Sequence, residues 1–235
     1  MNGIGLIHPA VPRVGQGLTA TLAIAFMLTG AVVFLAVALV LVLLSLAGPR
    51  WSPVARIVRR LVRAAGELEP VAPVRFSQFL AVGFLGAAAA MSLAGLTVLS
   101  LVVAGLVAAL ALLSATTGLC VGCEVYRVLL ALRRGDDDVR GALGLGGPGP
   151  WLTVLTAPGC TRCEPVARAL ERAASGRDVV RVNLRDRPAA AAVPVKSVPA
   201  VLVVGTDGRI KDVWTGALDA PTITEVVEAV PIAAG

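Results

Sequence analysis

Apolar residues form two long uncharged blocks in the first half of the chain, residues 18–47 and 79–123. A single helix through the first block would be about 45 Å long, whereas the hydrocarbon core of a bilayer is about 30 Å thick. Breaks are expected at Thr29-Gly30 and at Leu93-Ala94-Gly95. Each block is therefore predicted to fold back as a hairpin, which gives four short membrane spans, the first reaching back to about Val14.

Short alternating segments replace this pattern from Trp151 onward. Runs of β-formers predict strands over residues 151–156, 178–184, 199–204 and 209–214. The stretch PGCTRCEPVARALERA after the first strand has helical periodicity at Val166, Leu170 and Ala173, and a further helix is predicted over 222–230. Thr206-Asp207-Gly208 is a hairpin turn between the last two strands. The second half is predicted to be a small α/β domain whose last helix is capped near Asp219.

The segment RRGDDDVRGALGLGGPGP, residues 133–150, combines a charge run with Gly and Pro, which marks a domain boundary. We expect an integral-membrane helical domain over 1–134, a flexible linker over 135–150 and an α/β domain over 151–235. As a flexible coil, this segment would span about 23 Å. On that tether, groups in the two domains would meet at an effective concentration on the order of millimolar.

Composition and charge support a membrane protein. The apolar fraction is 57% and the mean hydropathy is +0.84, values too high for an ordinary soluble domain. The net charge is +6, and residues 1–150 carry eleven arginines against six acidic residues. An excess in the apolar half is typical of the cytoplasmic face of a membrane, and nothing in the chain resembles a nucleic-acid module.

The arginines also predict the orientation of the spans. With four spans, the chain start, the loop between the apolar blocks and the exit from the second block share one side; they hold Arg13, Arg50, Arg56, Arg59, Arg60, Arg63, Arg75, Arg127, Arg133 and Arg134. The two hairpin turns on the other side are uncharged. The positive-inside rule then places both termini and the α/β domain in the cytoplasm. Residues 56–63 are read either as an interfacial amphipathic helix or as a solvated loop.

Four cysteines form two C-x-x-C pairs, Cys120/Cys123 and Cys160/Cys163. The second pair follows a predicted strand and begins a predicted helix. Unpaired N–H groups at a helix N-terminus favour a thiolate, and Arg162 adds positive charge. Cys160 is therefore the predicted nucleophile, and Cys163, expected one turn inside the helix, is the predicted resolving thiol.

Cys160-Thr161-Arg162-Cys163 after a strand, with Ser197-Val198-Pro199 before the next strand, resembles the thioredoxin superfamily. The resemblance covers about 85 residues, and it implies a cis peptide bond at Pro199, with that proline against the active-site sulfurs. Pro158-Gly159 stands where the family usually has a Trp, and the family's N-terminal strand and helix are missing.

The first cysteine pair resembles the end of an uncharacterised family of bacterial integral-membrane proteins with about four spans, over residues 8–134. The matching motif residues are Leu119, Cys120, Gly122, Cys123, Glu124 and Tyr126. A break at Thr117-Gly118 would let Cys120 begin a new helix, where a thiolate is favoured; an unbroken span would put both thiols near a helix C-terminus, where it is disfavoured. Glu124 is either a proton shuttle or a solvated residue.

Three functions compete for these cysteines. In the first, the chain is a membrane-bound thiol-disulfide oxidoreductase whose two pairs exchange electrons, with unknown protein clients and an upstream thioredoxin-type reductant or a quinone as possible partners. In the second, all four thiolates bind or transfer a soft metal such as zinc, copper or mercury. In the third, the membrane half is an inert anchor for a thioredoxin-like domain. The first is favoured; it needs no resident cofactor or metal, and it locates the protein in the cell membrane.

Overall fold

The computed structural model describes residues 6–61, 67–134, 138–174, 178–216 and 218–228. The chain divides into a helical unit, Pro9–Arg63 and Val71–Leu129, and a sheet unit, Met1–His8, Ala64–Pro70 and Leu130–Gly235. The helices are α1 (Ala10–Thr29), α2 (Val33–Ala47), α3 (Pro53–Leu61), α4 (Val71–Leu93), α5 (Thr97–Thr117), α6 (Val121–Arg134), α7 (Arg140–Leu143), α8 (Cys163–Ala173) and α9 (Ala220–Glu228). The strands are β1 (Leu6–Ile7), β2 (Glu69–Pro70), β3 (Trp151–Thr156), β4 (Val179–Asn183), β5 (Ala200–Val204) and β6 (Ile210–Thr215), and a 3-10 turn covers Pro188–Ala192.

Both apolar blocks break where the sequence predicts. α1 ends at Thr29, and Gly30 follows with φ +71°, a left-handed conformation that glycine adopts without a Cβ penalty. α4 ends at Leu93, and Gly95 has φ +79°. Each block is therefore a pair of helices, α1/α2 and α4/α5.

Three helices are long and apolar enough to cross a membrane: α1, α4 and α5, with 20, 23 and 21 residues. α2 is more apolar still but has only 15 residues, which is shorter than the roughly 20 that a span needs. The core between these four helices is built from side chains such as Phe26, Leu35 and Leu85. The helical unit therefore has the composition of a membrane domain.

α3 covers most of the segment for which the sequence left a helix or a loop open. Ile57 and Leu61 are exposed, as expected for an apolar face available to lipid. Val58, expected on the same face, is only 4% exposed and lies with Val54 on the side that packs inward. Val62, the fourth residue of the expected face, lies outside the described residues.

The sheet unit contains a four-stranded sheet in the order β4-β3-β5-β6. β3 and β4 are parallel and are connected through α8, whereas β5 is antiparallel to both β3 and β6. All four strands lie within two residues of their predicted bounds, and α9 is capped as predicted: Asp219 accepts the Thr222 backbone N–H at 3.1 Å. The described residues thus form a mixed α/β sheet unit.

The continuous apolar runs in the sequence have a simple cause in this sheet. Alternate residues of a strand face opposite sides, and both sides of β3 and β5 are covered. Leu152 and Val154 pack with α8 and α9 on one side, while Leu155 and Leu202 belong to the core on the other side. The central strands therefore need apolar residues at successive positions.

Residues 138–150, where the sequence predicts a flexible linker, pack on this second side of the sheet. Leu143 in α7 is only 1% exposed, the Val139 N–H donates to the Gly208 carbonyl at 2.9 Å, and the Trp151 indole N–H donates to the Gly146 carbonyl at 3.1 Å. The apolar residues Val139, Leu143 and Leu145 within the Gly-rich stretch account for the difference, since they supply enough burial to order the segment.

Two short segments from the first half of the chain also belong to the sheet unit. β1 pairs with β2 in an antiparallel ribbon, and Leu68, directly before β2, forms an antiparallel bridge with Val198. These contacts lie beside the Cys160/Cys163 pair.

Candidate functional site

Cys160 and Cys163 form a disulfide in the sheet unit, with their Cα atoms 5.6 Å apart. β3 delivers the chain to this point, and Gly159, with φ +82°, turns it toward α8. Cys160 lies in the turn that precedes α8, and Cys163 is the first residue of the helix rather than one turn inside it. The first α-helical hydrogen bond here runs from the Val166 N–H to the Arg162 carbonyl, which explains the later start.

The two cysteines of this pair differ in exposure. Cys163 is only 4% exposed, whereas Cys160 is half-buried. The Cys160 sulfur is therefore more accessible from solution than the Cys163 sulfur. This asymmetry is what an attacking thiol and a resolving thiol require.

The loop before β5 lies against Cys160. The Val198–Pro199 peptide bond is cis, as the resemblance to the thioredoxin superfamily implies. The Val198 carbonyl oxygen is 3.8 Å from the Cys160 Sγ, a distance at which a reduced thiol can donate a weak hydrogen bond. The fold thus brings together the three residues that the sequence assigns to this site, Cys160, Cys163 and Pro199.

Charged groups surround the start of α8. Arg162 forms an ion pair with Glu67, with the Nη1 to Oε1 distance 2.8 Å. Glu164 pairs with both Arg168 and Arg181, and the hydrogen bond from Arg168 is the main reason that the pKa of the Glu164 carboxyl lies below its usual value. The carboxylate nearest to Cys163 in the sequence is thus compensated by two guanidinium groups.

Cys120 and Cys123 form the second disulfide, in the helical unit, with their Cα atoms 5.2 Å apart. α5 ends at Thr117, Gly118 adopts a left-handed conformation with φ +76°, and α6 begins at Val121. Of the two alternatives that the sequence left open, the structure has the break at Thr117-Gly118. Cys120 immediately precedes α6, and its Sγ accepts the Cys123 backbone N–H at 3.3 Å, the contact that a side chain at a helix N-cap makes.

The second residue of this pair is again the buried one, since Cys123 is 5% exposed and Cys120 is half-buried. The side-chain amide of Gln16 in α1 lies 3.8 Å from the Cys120 Sγ. Gly122, between the two cysteines, packs against Ser77 of α4: a Cβ at position 122 would lie 2.8 Å from the Ser77 Cβ. The glycine of the motif is thus required for α6 to approach α4.

The remaining motif residues hold α6 in place. The Tyr126 ring packs against Phe76 of α4, with the ring centroids 5.5 Å apart. Glu124 forms an ion pair with Arg127 one turn later. The motif thus combines one disulfide-bonded pair with residues that fix its helix on α4.

Sequence reasoning missed Gln16 and Ser77. Both are polar residues at the edges of apolar helices, where a polar side chain is a candidate for function. That signal was present in the sequence. Only the packing of α1 and α4 shows that Gln16 and Ser77 lie beside the Cys120/Cys123 pair.

A helical unit of membrane-type composition that ends in a C-x-x-C disulfide, with a mixed sheet unit that carries a second one, defines a class of membrane-associated dithiol proteins. The chain belongs to the family described as Domain of unknown function (DUF4395), which matches residues 7–131. The match includes Cys120 and Cys123, ends before β3, and coincides with the region that resembles the uncharacterised membrane family. A comparison with curated proteins finds no match.

Proposed function

We propose that this protein is a membrane-bound thiol-disulfide oxidoreductase whose two cysteine pairs exchange electrons. One observation carries the proposal: each pair is within disulfide distance, and each has a half-buried first cysteine before a helix and a buried second one. That arrangement separates an attacking sulfur from a resolving sulfur at both sites.

At the sheet-unit pair the chemistry is disulfide exchange. The Cys160 thiolate attacks a client disulfide and forms a mixed disulfide, and one client sulfur leaves as a thiolate. The Cys163 thiolate then attacks the Cys160 sulfur and releases the second client thiolate. The client gains two electrons and, with protonation, two protons, while Cys160 and Cys163 become a disulfide.

The helical-unit pair restores the sheet-unit pair in the same way. A reduced Cys120/Cys123 pair passes two electrons and two protons to the Cys160–Cys163 disulfide and becomes a disulfide itself. A reduced thioredoxin-type protein is the expected partner that re-reduces Cys120–Cys123 in this direction, whereas a quinone, which accepts two electrons and two protons, is the expected partner when the exchange runs the other way. The same exchange balances in the opposite direction, in which clients are oxidised.

Four spans with a cytoplasmic sheet unit fit this proposal. Leu6–Ile7 precedes the first apolar block, Leu68 lies between the blocks, and β3 follows the second, yet all belong to the sheet unit. A chain that returns to one unit after each block crosses the bilayer an even number of times per block. The arginines that flank the blocks favour the cytoplasmic side, and α2, although short, can span a locally thinned bilayer.

The experiment is a trap with Cys163→Ser. Because that variant lacks the resolving thiol, it should accumulate mixed disulfides between Cys160 and clients, visible as reducible high-mass species on non-reducing gels of membranes. Cys160→Ser is the matched control and should give none. Equal trapping by both variants would contradict the assigned roles, and one tightly held zinc per reduced chain would support the metal function instead.

A further inference from the structure

A segment between the two apolar blocks, here called the covering segment, packs beside the sheet-unit cysteine pair. This covering segment comprises residues 67–70 and belongs to the sheet unit. Its last two residues form β2, which is paired with β1. Its first two residues, Glu67 and Leu68, contact the site itself.

The backbone contact is made at the residue next to the reactive sulfur. The Leu68 N–H donates to the Val198 carbonyl at 3.2 Å, and the Val198 N–H donates to the Leu68 carbonyl at 2.9 Å. The same Val198 carbonyl lies 3.8 Å from the Cys160 Sγ. An extended backbone is thus docked in antiparallel fashion beside Cys160.

The side chains of the covering segment add charge and apolar contact. The Glu67 carboxylate pairs with Arg162 at 2.8 Å and lies 3.5 Å from the Ser197 hydroxyl. Leu68 packs on the core that includes Cys163 and Val198. The segment therefore presents an acidic residue directly before an apolar one. Glu67 contacts Arg162, two residues after Cys160, and Leu68 contacts Val198, whose carbonyl oxygen lies 3.8 Å from the Cys160 Sγ.

We propose that Arg162 and Val198 form a docking edge for an extended client peptide with an acidic residue before an apolar one. Glu67 and Leu68 are the resident occupant, which such a client displaces before it reaches Cys160. The inference rests on the proposed function, since only a client that exchanges disulfides needs this edge. Backbone pairing supplies affinity at any sequence, and Arg162 supplies the preference for a carboxylate.

The strength of these contacts suits a replaceable cover. The Arg162 side chain is 54% exposed, and exposed ion pairs contribute little. Two peptide hydrogen bonds add a modest net stabilisation. A client with the same chemistry can make the same contacts with the edge. The resident segment has the advantage of being tethered, so a client must be present at a sufficient concentration to displace it.

The first test measures access to Cys160 in the full-length protein in detergent. Cys120, Cys123 and Cys163 are replaced by Ser, so that Cys160 is the sole thiol, and its alkylation rate by a neutral maleimide is followed against pH. The midpoint of that profile reports ionisation, whereas the plateau reports access. Leu68→Pro removes the N–H that bonds to the Val198 carbonyl, and its control Leu68→Ala keeps that N–H. Glu67→Gln removes the charge that pairs with Arg162. Its control is Asp207→Asn, which breaks another exposed ion pair.

Leu68→Pro should raise the plateau rate about fivefold, the factor that one lost hydrogen bond represents. Glu67→Gln should raise it about twofold, and Asp207→Asn should leave it unchanged. The plateau rate of Leu68→Ala should lie below that of Leu68→Pro, because the alanine variant retains the backbone hydrogen bond to Val198. A plateau that is the same in Leu68→Pro as in the parent chain would overturn the proposal.

The second test addresses the client. The peptide Glu-Leu-Glu-Pro, capped at both ends, should slow alkylation of the Leu68→Pro chain more than Gln-Leu-Glu-Pro does, and Arg162→Gln should abolish that difference. Equal effects of the two peptides in the Leu68→Pro chain would disprove the preference for a carboxylate. Alkylation involves no electron transfer, so these tests do not depend on the proposed function. If both give the expected result but Cys163→Ser traps no mixed disulfide, the docking edge is supported and the proposed function is wrong.

Discussion

The two cysteine pairs reach the same local arrangement from different structures. Each follows a glycine with positive φ, Gly118 at +76° and Gly159 at +82°. Each places a half-buried cysteine before a helix and a buried one, 5% and 4% exposed, inside it. A helix, a break and a helix build this arrangement in the helical unit, whereas a strand, a turn and a helix build it in the sheet unit.

The surroundings of the two pairs differ. Cys120 has the side-chain amide of Gln16 and the Cys123 N–H as its polar neighbours, whereas Cys160 has the Val198 carbonyl on a loop with a cis proline. The sheet-unit pair also has a backbone edge that can take a peptide, which the covering segment occupies. Under the proposed function, this difference assigns protein clients to the sheet-unit pair and the electron source to the helical-unit pair.

The largest expected effect is loss of the relay. Cys120→Ser should prevent Cys160 and Cys163 from exchanging electrons with the helical-unit pair. The fraction of Cys160 and Cys163 that is reduced in intact cells should therefore shift almost completely. Differential alkylation with a mass-tagged maleimide measures that state. Ser100→Ala, a change in α5 away from either pair, is the control, and an unchanged alkylation pattern in Cys120→Ser would reduce the helical unit to an anchor.

Truncation of a buried side chain in the sheet unit should lower the stability of that unit. Leu143→Ala removes a side chain that is 1% exposed in the sheet-unit core, and it should cost about 2–5 kcal/mol of unfolding free energy. Val213→Ala, at a position that is 40% exposed, is the control in the same unit. Denaturant titration monitored by Trp fluorescence measures the loss; a wild-type midpoint for Leu143→Ala would mean that residues 138–150 are not packed as described.

A change at Gly122 should act on the other pair. Gly122→Leu places a side chain against Ser77 and should destabilise the helical unit by about 1–3 kcal/mol through overpacking. Gly86→Ala in α4 is the control, because a Cβ there meets nothing within 4 Å. The expected readout is faster reduction of Cys120–Cys123 by a water-soluble phosphine, with the Cys160–Cys163 rate unchanged; equal acceleration in Gly86→Ala would contradict it.

As the pH falls, the sheet unit should lose stability before the helical unit does. Hydrogen bonds lower the pKa of five of its carboxyls, those of Asp138, Glu164, Glu171, Asp207 and Asp219, whereas Pro9–Arg63 and Val71–Leu129 hold a single acidic residue, Glu124. A carboxyl whose folded pKa is lowered stabilises the fold above its ordinary pKa of about 4 and loses that contribution as the pH falls through the lowered value.

Asp219 gives the smallest and most specific test of this difference. Its carboxylate accepts hydrogen bonds from the Thr222 hydroxyl and backbone N–H, which lower its pKa. Asp219→Asn keeps a capping side chain but cannot titrate, so it should lose slightly less stability than the parent between neutral and acidic pH. Fluorescence of Trp151 and Trp214 in a Trp51→Phe chain measures this, and identical acid transitions in both proteins would show that this carboxyl is not involved.

Much of the local structure was predictable because it depends on residues close in sequence. The breaks at Gly30, Gly95 and Gly118 follow from apolar runs too long for one span and from glycines that accept positive φ. The strands and the Asp219 cap follow from β-formers and from capping preferences. The start of α8 was placed several residues too early, because propensity does not fix a helix end to that precision.

What the sequence by itself determined is therefore the four apolar helices, the four strands of the sheet with the helices α8 and α9, the apolar character of the helical unit and the two C-x-x-C pairs. Only the tertiary structure decided that residues 138–150 pack on the sheet, and that Gln16 and Ser77 lie beside the Cys120 pair. It also decided that Glu67 pairs with Arg162 and Leu68 with Val198, next to Cys160. The physical reason is the range of the interactions. Turns, caps and periodicity are set by neighbours along the chain, whereas Glu67 and Arg162, 95 residues apart, meet only because a folded sheet unit brings them together.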